Sequence, residues 1–120
     1  MGRLLVHIVT GPENPTRAAL GLLIARAALD GGHEVDVFLA ADAVDFLRPE
    51  TAAVAQGIGT GPVAEHLAAL VAGGAAIHAS GMSSKARAIG PAVVGELPVS
   101  FDPPDVLVRL VFDADRVLGY

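Results

Sequence analysis

The sequence has 120 residues, of which 52% are hydrophobic, and its formal net charge is −5 at pH 7. This length corresponds to a single domain, residues 1–120, with enough apolar surface to fold without disulfides. The excess of acidic residues argues against nucleic-acid binding, because contacts to phosphate need a basic face. The chain contains no cysteine, which excludes disulfides, thiolate metal sites and cysteine nucleophiles.

Hydrophobic stretches are too short for a membrane segment. The longest charge-free stretch of the first third, residues 18–25, is far below the roughly 20 apolar residues that a membrane span needs. The N-terminal apolar run is too brief for a signal peptide and lacks a cleavage site of small residues. We therefore expect a cytoplasmic protein that does not contact membranes.

Apolar runs alternate with amphipathic segments in the first third of the chain. Residues 4–9 form a continuous apolar run that is typical of a strand buried on both faces. Asn14 is expected to cap a helix that has Pro15 at its first position and ends near Asp30. Residues 34–40 predict a second strand.

The middle of the chain contains shorter elements. Asp42 is expected to cap a short helix that runs to Leu47 and is stopped by Pro49. Residues 51–61 are small and glycine-rich, which indicates a mobile connection with at most one helical turn. A third helix is predicted to start at Pro62 and to end at Gly73 or Gly74.

The last third continues the alternation. The sequence predicts a third strand at residues 75–79, a short helix at 83–89, a weaker strand around Val99, a helix at 105–112 and a final strand at 115–120. Strands that alternate with helices predict a three-layer α/β/α sandwich with a mainly parallel sheet and a flavodoxin-like architecture, because parallel neighbours need crossover connections.

The loop after the third predicted strand is the main candidate for a ligand site. In open α/β sheets, ligands bind beyond the carboxyl ends of the strands, where the strand order reverses. Here "SGMSSKAR" combines a glycine, hydroxyls and cations at the start of a helix, whose free N–H groups favour an anion. The predicted ligand-binding residues of this loop are Ser80, Gly81, Met82, Ser83, Ser84, Lys85 and Arg87. The alternative is that Ser83 or Ser84 only caps the helix and that the cations are solvated.

Polar residues in the loops after the first two strands are further candidates. Glu13, Asn14, Thr16 and Asp42 are expected either to orient a ligand across the cleft or to cap helices. "GMSSK" lacks the upstream glycine of a phosphate-binding loop, and "GIGTG" lacks the dinucleotide-binding pattern. The histidines lack metal-ligand spacing, so we expect neither a cofactor nor a metal ion.

Serine catalysis is a third possibility for the same loop. His78 precedes Ser80 by two residues, and residues two apart on a strand share a face. A hydroxyl nucleophile needs a base within hydrogen-bond reach, which this spacing permits. A histidine on a strand is, however, more often held by structural hydrogen bonds, so the sequence does not favour an enzyme.

Three blocks of the sequence resemble the DsrE/DsrF-like proteins of intracellular sulfur metabolism. They are "LLVHIVTGPENPTRAALGLLIARAALDGGHEVDVFLAADAV", "LVAGGAAIHASGMSSKARAIG" and "PDVLVRLVFDADRVLGY", and together they span essentially the whole chain. The resemblance implies a five-stranded parallel sheet and assembly into a homo-oligomer or hetero-oligomer, often a trimer or hexamer. No partner other than a second copy or another DsrE-like protein is implied.

The resemblance also exposes a chemical difference. Some family members relay sulfur through a persulfide on a cysteine just after the third strand, and dithiol-bearing members have C-x-x-C there. Aligning their following arginine with Arg87 places Ser80 and Ser83 at the two cysteine positions. A serine hydroxyl cannot form a persulfide, so sulfur relay by this chain is disfavoured.

Two functional hypotheses follow from the sequence. The first is a binding module without a thiol, which holds a small anion or polar metabolite at the loop after the third strand. The second is a catalytically silent subunit that contributes an oligomeric surface to sulfur-handling proteins, as the missing cysteine and the apolar "VLVRLVF" stretch indicate.

Overall fold

The fold is built from seven strands and six α-helices. The computed structural model describes all residues, 1–120. The strands are β1 (Arg3–Ile8), β2 (Glu34–Leu39), β3 (Gln56–Gly57), β4 (Gly61–Pro62), β5 (Ala76–Ser80), β6 (Ser100–Asp102) and β7 (Arg116–Gly119). The helices are α1 (Pro15–Asp30), α2 (Pro49–Val54), α3 (Val63–Ala72), α4 (Gly81–Ala86), α5 (Pro91–Val94) and α6 (Pro104–Asp113), and a 3₁₀ helix, Ala41–Leu47, follows β2.

Five strands form one sheet in the order β6-β5-β2-β1-β7, and every neighbouring pair is parallel. The strands β3 and β4 form a separate two-residue antiparallel pair. Each parallel neighbour is reached through a helical crossover, as the alternation of strands and helices requires. The predicted α/β fold with a five-stranded parallel sheet is confirmed.

Helices cover the two faces of the sheet unequally. The main core lies on one face, where inward side chains of β1, β2 and β5 pack against α1, α3 and the segment from α4 to α5. The other face has only α6, which packs through Leu110 against Leu5 and Phe38. We call these the covered face and the α6 face. No helix of the chain has both the length and the apolar character needed to cross a membrane.

Local signals explain where several elements begin. The side chain of Asn14 accepts a hydrogen bond from the N–H of Arg17 at 3.1 Å, and Pro15 occupies the first turn of α1, as predicted. The short helix after β2 ends at Leu47, as predicted, but its N-cap is Ala40 and not Asp42, which lies in the first turn. Pro49 also starts α2, because proline fits the first turn of a helix, where its missing N–H has no partner to lose.

Two further local differences concern the last third. The helix predicted at residues 83–89 begins at Gly81 and ends at Ala86. A short helix, α5, was not predicted, and its Pro91 again lies in the first turn. In the middle of the chain, residues 51–61, predicted as a mobile connection with at most one helical turn, contain the end of α2, the strand β3 and the first residue of β4.

Candidate functional site

The loops after β5 and β6 leave the sheet in opposite directions. The chain after β5 turns to the covered face and forms α4, whereas the chain after β6 turns to the α6 face. Ser80 and Asp102 are paired in register at this point, and the carbonyl oxygen of Asp102 lies 3.4 Å from where a Cβ on Gly81 would be. The main candidate loop therefore lies beyond the carboxyl end of β5, on the edge of the sheet where ligands bind in open α/β folds. The strand order itself reverses between β1 and β7.

Ser80 is the N-cap of α4. Its Oγ atom accepts a hydrogen bond from the N–H of Ser83 at 3.1 Å, so the cap is neither Ser83 nor Ser84. The helix has only six residues, and this cap already occupies one of its free N–H groups. The helix start consequently offers an anion fewer donors than the sequence predicts.

Ser83 and Arg87 hold the loop after β2 in place. Ser83 Oγ accepts a hydrogen bond from the N–H of Ala41 at 2.9 Å, where Ala41 has a positive φ of 52°. Arg87 Nη2 donates to Asp42 Oδ1 at 2.7 Å, and Arg87 Nε lies 3.5 Å from Asp45 Oδ1. The Arg87 guanidinium and the Asp42 carboxylate are therefore paired with each other inside the chain.

Three residues of the candidate loop have side chains that make no polar contact within the chain. The side chain of Lys85 is exposed, and its ammonium group makes neither an ion pair nor a hydrogen bond. Met82 is 69% exposed. The Ser84 hydroxyl is buried without a hydrogen-bond partner. Ser84, Lys85 and Gly81 line a surface cavity of about 420 Å³ beside Phe101.

The polar side chains that follow β1 accept hydrogen bonds from backbone N–H groups near α1. Glu13 Oε1 accepts a hydrogen bond from the N–H of Gly11 at 2.9 Å, and Asn14 caps α1. Thr16 Oγ1 accepts from the N–H of Ile58 at 3.0 Å. None of the three side chains is hydrogen-bonded to the loop after β5. Of the candidates outside that loop, the structure brings only Asp42 to it.

A polar cluster crosses the α6 face beside this loop. His78 Nε2 lies 3.0 Å from Asp36 Oδ1, and His78 Nδ1 lies 3.1 Å from Asp102 Oδ2. Arg3 Nε donates to the second oxygen of Asp36 at 3.0 Å. Ser100 Oγ donates to Asp102 Oδ2 at 2.8 Å. The cluster therefore links four neighbouring strands, β1, β2, β5 and β6.

An aromatic row lies next to the cluster on the same face. The parallel register places His7, Phe38 and His78 side by side on β1, β2 and β5. Phe38 is stacked on His78 at 6.1 Å and meets the His7 ring edge-on at 5.9 Å. His7 Nε2 is buried and has no hydrogen-bond partner. The two histidines thus have opposite surroundings, one charged and one apolar.

These surroundings move the pKa values in opposite directions. The hydrogen bond to Asp36 and the one to Asp102 raise the pKa of His78 above 6.5, against the effect of burial. The same hydrogen bond from His78 lowers the pKa of Asp36 below 3.8. Burial alone lowers the pKa of His7. His78 is therefore suited to be a protonated bridge between two carboxylates and not a general base.

The sequence profile of the DsrE/DsrF-like family matches residues 3–120. The chain belongs to the DsrE/DsrF-like family. This agrees with the resemblance read from the sequence. No curated protein matches the chain.

Solved structures of low sequence identity share the fold of this DsrE/DsrF-like chain. The YchN protein from E. coli is 21% identical, has a TM-score of 0.72 and is covered over 100% of both chains. Protein MTH1491 of unknown function from Methanobacterium thermoautotrophicum is 13% identical, with a TM-score of 0.76 and 100% coverage of both chains. Protein BT1422 of unknown function from Bacteroides thetaiotaomicron is 12% identical, with a TM-score of 0.75 over 99% of this chain and 95% of that chain.

Two serines of the candidate loop in this DsrE/DsrF-like chain, Ser80 and Ser83, use their hydroxyls in contacts within the chain. Ser80 and Ser83 bond to backbone N–H groups of the chain. Both ring nitrogens of His78 contact Asp36, Asp102 or Ser100, and neither contacts Ser80. The geometry does not support His78 as the base for a Ser80 nucleophile, which needs a hydrogen bond between the two.

Sequence reasoning missed the polar cluster around His78. Arg3, Asp36, Ser100 and Asp102 were not among the candidate residues, although polar residues occupy alternate positions of otherwise apolar strands. Alternation with period two indicates that one face of a sheet is incompletely covered by apolar neighbours. In "EVDVFL" of β2, Glu34 and Asp36 carry this signal.

Proposed function

We propose that this DsrE/DsrF-like chain is an oligomer-forming subunit that does not itself carry sulfur. The supporting observation is the outer surface of α6. Phe112 is 84% exposed, Val108 is 54% exposed and Val111 is 39% exposed. These residues have the i, i+3, i+4 spacing of one helix face.

The inner side of α6 is apolar as well. Val106, Leu107 and Leu110 pack on the α6 face of the sheet. Asp105, Arg109 and Asp113 share the remaining side of α6 at i, i+4, i+8 spacing, so the helix has one polar side. The exposed apolar stripe next to the packed one indicates an interaction surface. A protein interface that covers the outer stripe of α6 would remove it from water. Because the chain has no cysteine, it cannot itself carry a persulfide.

Substitution on the outer stripe tests this function. Phe112→Ser removes the most exposed aromatic side chain without touching the core, so the variant should fold and dissociate into monomers in sedimentation velocity. Ile58→Ser is a matched control, since Ile58 is 88% exposed and lies away from α6. Equal association of the native protein and both variants would contradict the proposed function.

Binding of a small anion or polar metabolite is a second candidate function. Its supporting observation is that Lys85, an unpaired cation, and Gly81 line one cavity at the carboxyl end of β5. The contacts of Arg87, Ser80 and Ser83 reduce the ligand-binding set to Gly81, Met82, Ser84 and Lys85. A ligand that reached the Ser84 hydroxyl would also satisfy a buried polar group.

Thermal-shift measurements with sulfate, phosphate, thiosulfate and small carboxylates test the second candidate. A ligand held by this cavity should raise the Tm of the native protein, and Lys85→Gln should abolish the increase. Arg116→Gln is the control, because Arg116 is an exposed arginine on β7. If the same ligand still raises the Tm of the Lys85→Gln variant, the anion binds elsewhere, and the second candidate function is contradicted.

A further inference from the structure

A cavity lies where the strand order of the sheet reverses, and it has no lining residue in common with the cavity beside Lys85. The chain leaves β1 towards α1 on the covered face and reaches β7 from α6 on the other face. Ligands of open α/β sheets bind outside the carboxyl ends of the strands at such a point. The volume of this cavity, about 410 Å³, lies within the roughly 300 to 1,000 Å³ that is typical of small-molecule sites. We call it the β1–β7 cavity, and its lining residues are His7, Val9, Arg17, Leu20, Gly119 and Tyr120.

One wall of the β1–β7 cavity is a row of residues on α1. Arg17, Leu20 and Gly21 have the i, i+3, i+4 spacing of one helix face. The Tyr120 ring lies on this row, where a Cβ on Gly21 would be 3.0 Å from the Tyr120 Cδ2 atom. This distance is shorter than an ordinary carbon contact, so glycine at position 21 leaves room for the ring. The ring is therefore packed on α1 at the side of the cavity.

Two polar side chains of the cavity have no partner within the chain. Arg17 is exposed, and its guanidinium makes neither an ion pair nor a hydrogen bond. Neither ring nitrogen of His7 makes a hydrogen bond, and Nε2 is buried. Because buried polar atoms are almost always hydrogen-bonded, such a nitrogen is a group that a ligand can satisfy. Rotation of the His7 ring about its Cβ–Cγ bond breaks no hydrogen bond, so the ring can turn towards a ligand.

We propose that the β1–β7 cavity binds a small monocarboxylic acid with a flat apolar body. The Arg17 guanidinium donates two parallel hydrogen bonds to the carboxylate, and the apolar body lies against the Tyr120 ring and Leu20. His7 hydrogen-bonds to a second polar group of the ligand. One guanidinium balances one negative charge, and three of the six lining residues are hydrophobic, whereas a phosphate dianion would need further cations or N–H groups. The inference is independent of both proposed functions.

An NMR titration with benzoate tests the inference. Benzoate should produce saturable shifts of the His7 and Tyr120 side-chain resonances. Benzamide has nearly the same shape without the charge and should bind at least about tenfold more weakly. Arg17→Gln should weaken benzoate binding by a similar factor. Arg116→Gln, at the other end of β7, and Lys85→Gln are the matched controls and should leave the affinity unchanged.

A second variant blocks the cavity and leaves Arg17 in place. Gly119 pairs in register with His7, and a Cβ on Gly119 would lie 3.9 Å from its nearest neighbour, the carbonyl oxygen of His7. Gly119→Val should therefore fold, as circular dichroism checks, and should abolish the benzoate shifts.

Three outcomes would overturn the inference. They are no saturable shift at His7 and Tyr120 in the native protein, equal affinity of the native protein and Arg17→Gln for benzoate, and unchanged binding by folded Gly119→Val. Shifts confined to the loop around Lys85 and removed by Lys85→Gln would overturn the β1–β7 cavity and support the second candidate function instead.

Discussion

His78 Nε2 and Asp36 Oδ1 lie 3.0 Å apart, on adjacent strands of the sheet and on the face that α6 only partly covers. A second carboxylate, that of Asp102, lies 3.1 Å from the other ring nitrogen. Because a protonated imidazole can donate to both carboxylates, the charge state of His78 is coupled to the stability of the sheet.

The first prediction concerns the alkaline side of the stability profile. The pKa of His78 is raised above 6.5 in the folded chain, so its stabilising contribution is complete below pH 6.5 and is lost as the pH rises through the folded-state pKa. The free energy of unfolding, measured by urea titration, should therefore decline above pH 6.5. His78→Gln should remove this decline. An unchanged slope in that variant would show that His78 is not the responsible group.

The second prediction concerns the acid side. Burial lowers the pKa of His7, so its contribution is present above pH 6.5 and is lost as the pH falls from 6.5 through the folded-state pKa. His7→Leu should flatten that decline and also remove a buried nitrogen that has no partner. Each histidine variant is the control for the other, since His7→Leu should leave the alkaline decline intact.

The third prediction separates two adjacent serines. Ser83→Ala removes the acceptor for the N–H of Ala41 and should lower the free energy of unfolding by about 1 kcal/mol. Ser84→Ala removes a buried hydroxyl that has no partner, so it should be neutral or stabilising. Chemical denaturation of both variants at one pH measures the difference. A larger loss for Ser84→Ala would contradict the hydrogen-bond assignment.

The sequence predicts those elements whose signals are local. Asn14 and Pro15 identify the start of α1, and apolar runs identify the central strands, because caps and periodicity act over a few residues. Pro49 shows the limit of such signals. The end of the preceding helix at Leu47 is predicted, but the start of α2 at Pro49 is not, because whether a helix forms after a proline depends on the packing of the following residues.

The site is less predictable than the fold for a related reason. The position of Ser80, Gly81 and Lys85 at the end of a central strand follows from the order of elements. The contacts of Arg87 with Asp42 and of His78 with Asp36 join residues 45 and 42 positions apart, respectively. Such pairs depend on strand order and register, which a single sequence does not specify. The outer stripe of α6 is likewise only part of an apolar run in the sequence, because the sheet that covers the other side of the helix is distant along the chain.

The mass of the native protein in solution tests the central claim most directly. Light scattering during size-exclusion chromatography, repeated over a dilution series, measures this mass against the 12.1 kDa subunit. Burial of the outer stripe of α6 between copies predicts a multiple of the subunit mass that decreases on dilution or remains constant. A mass of one subunit at every concentration would contradict the account.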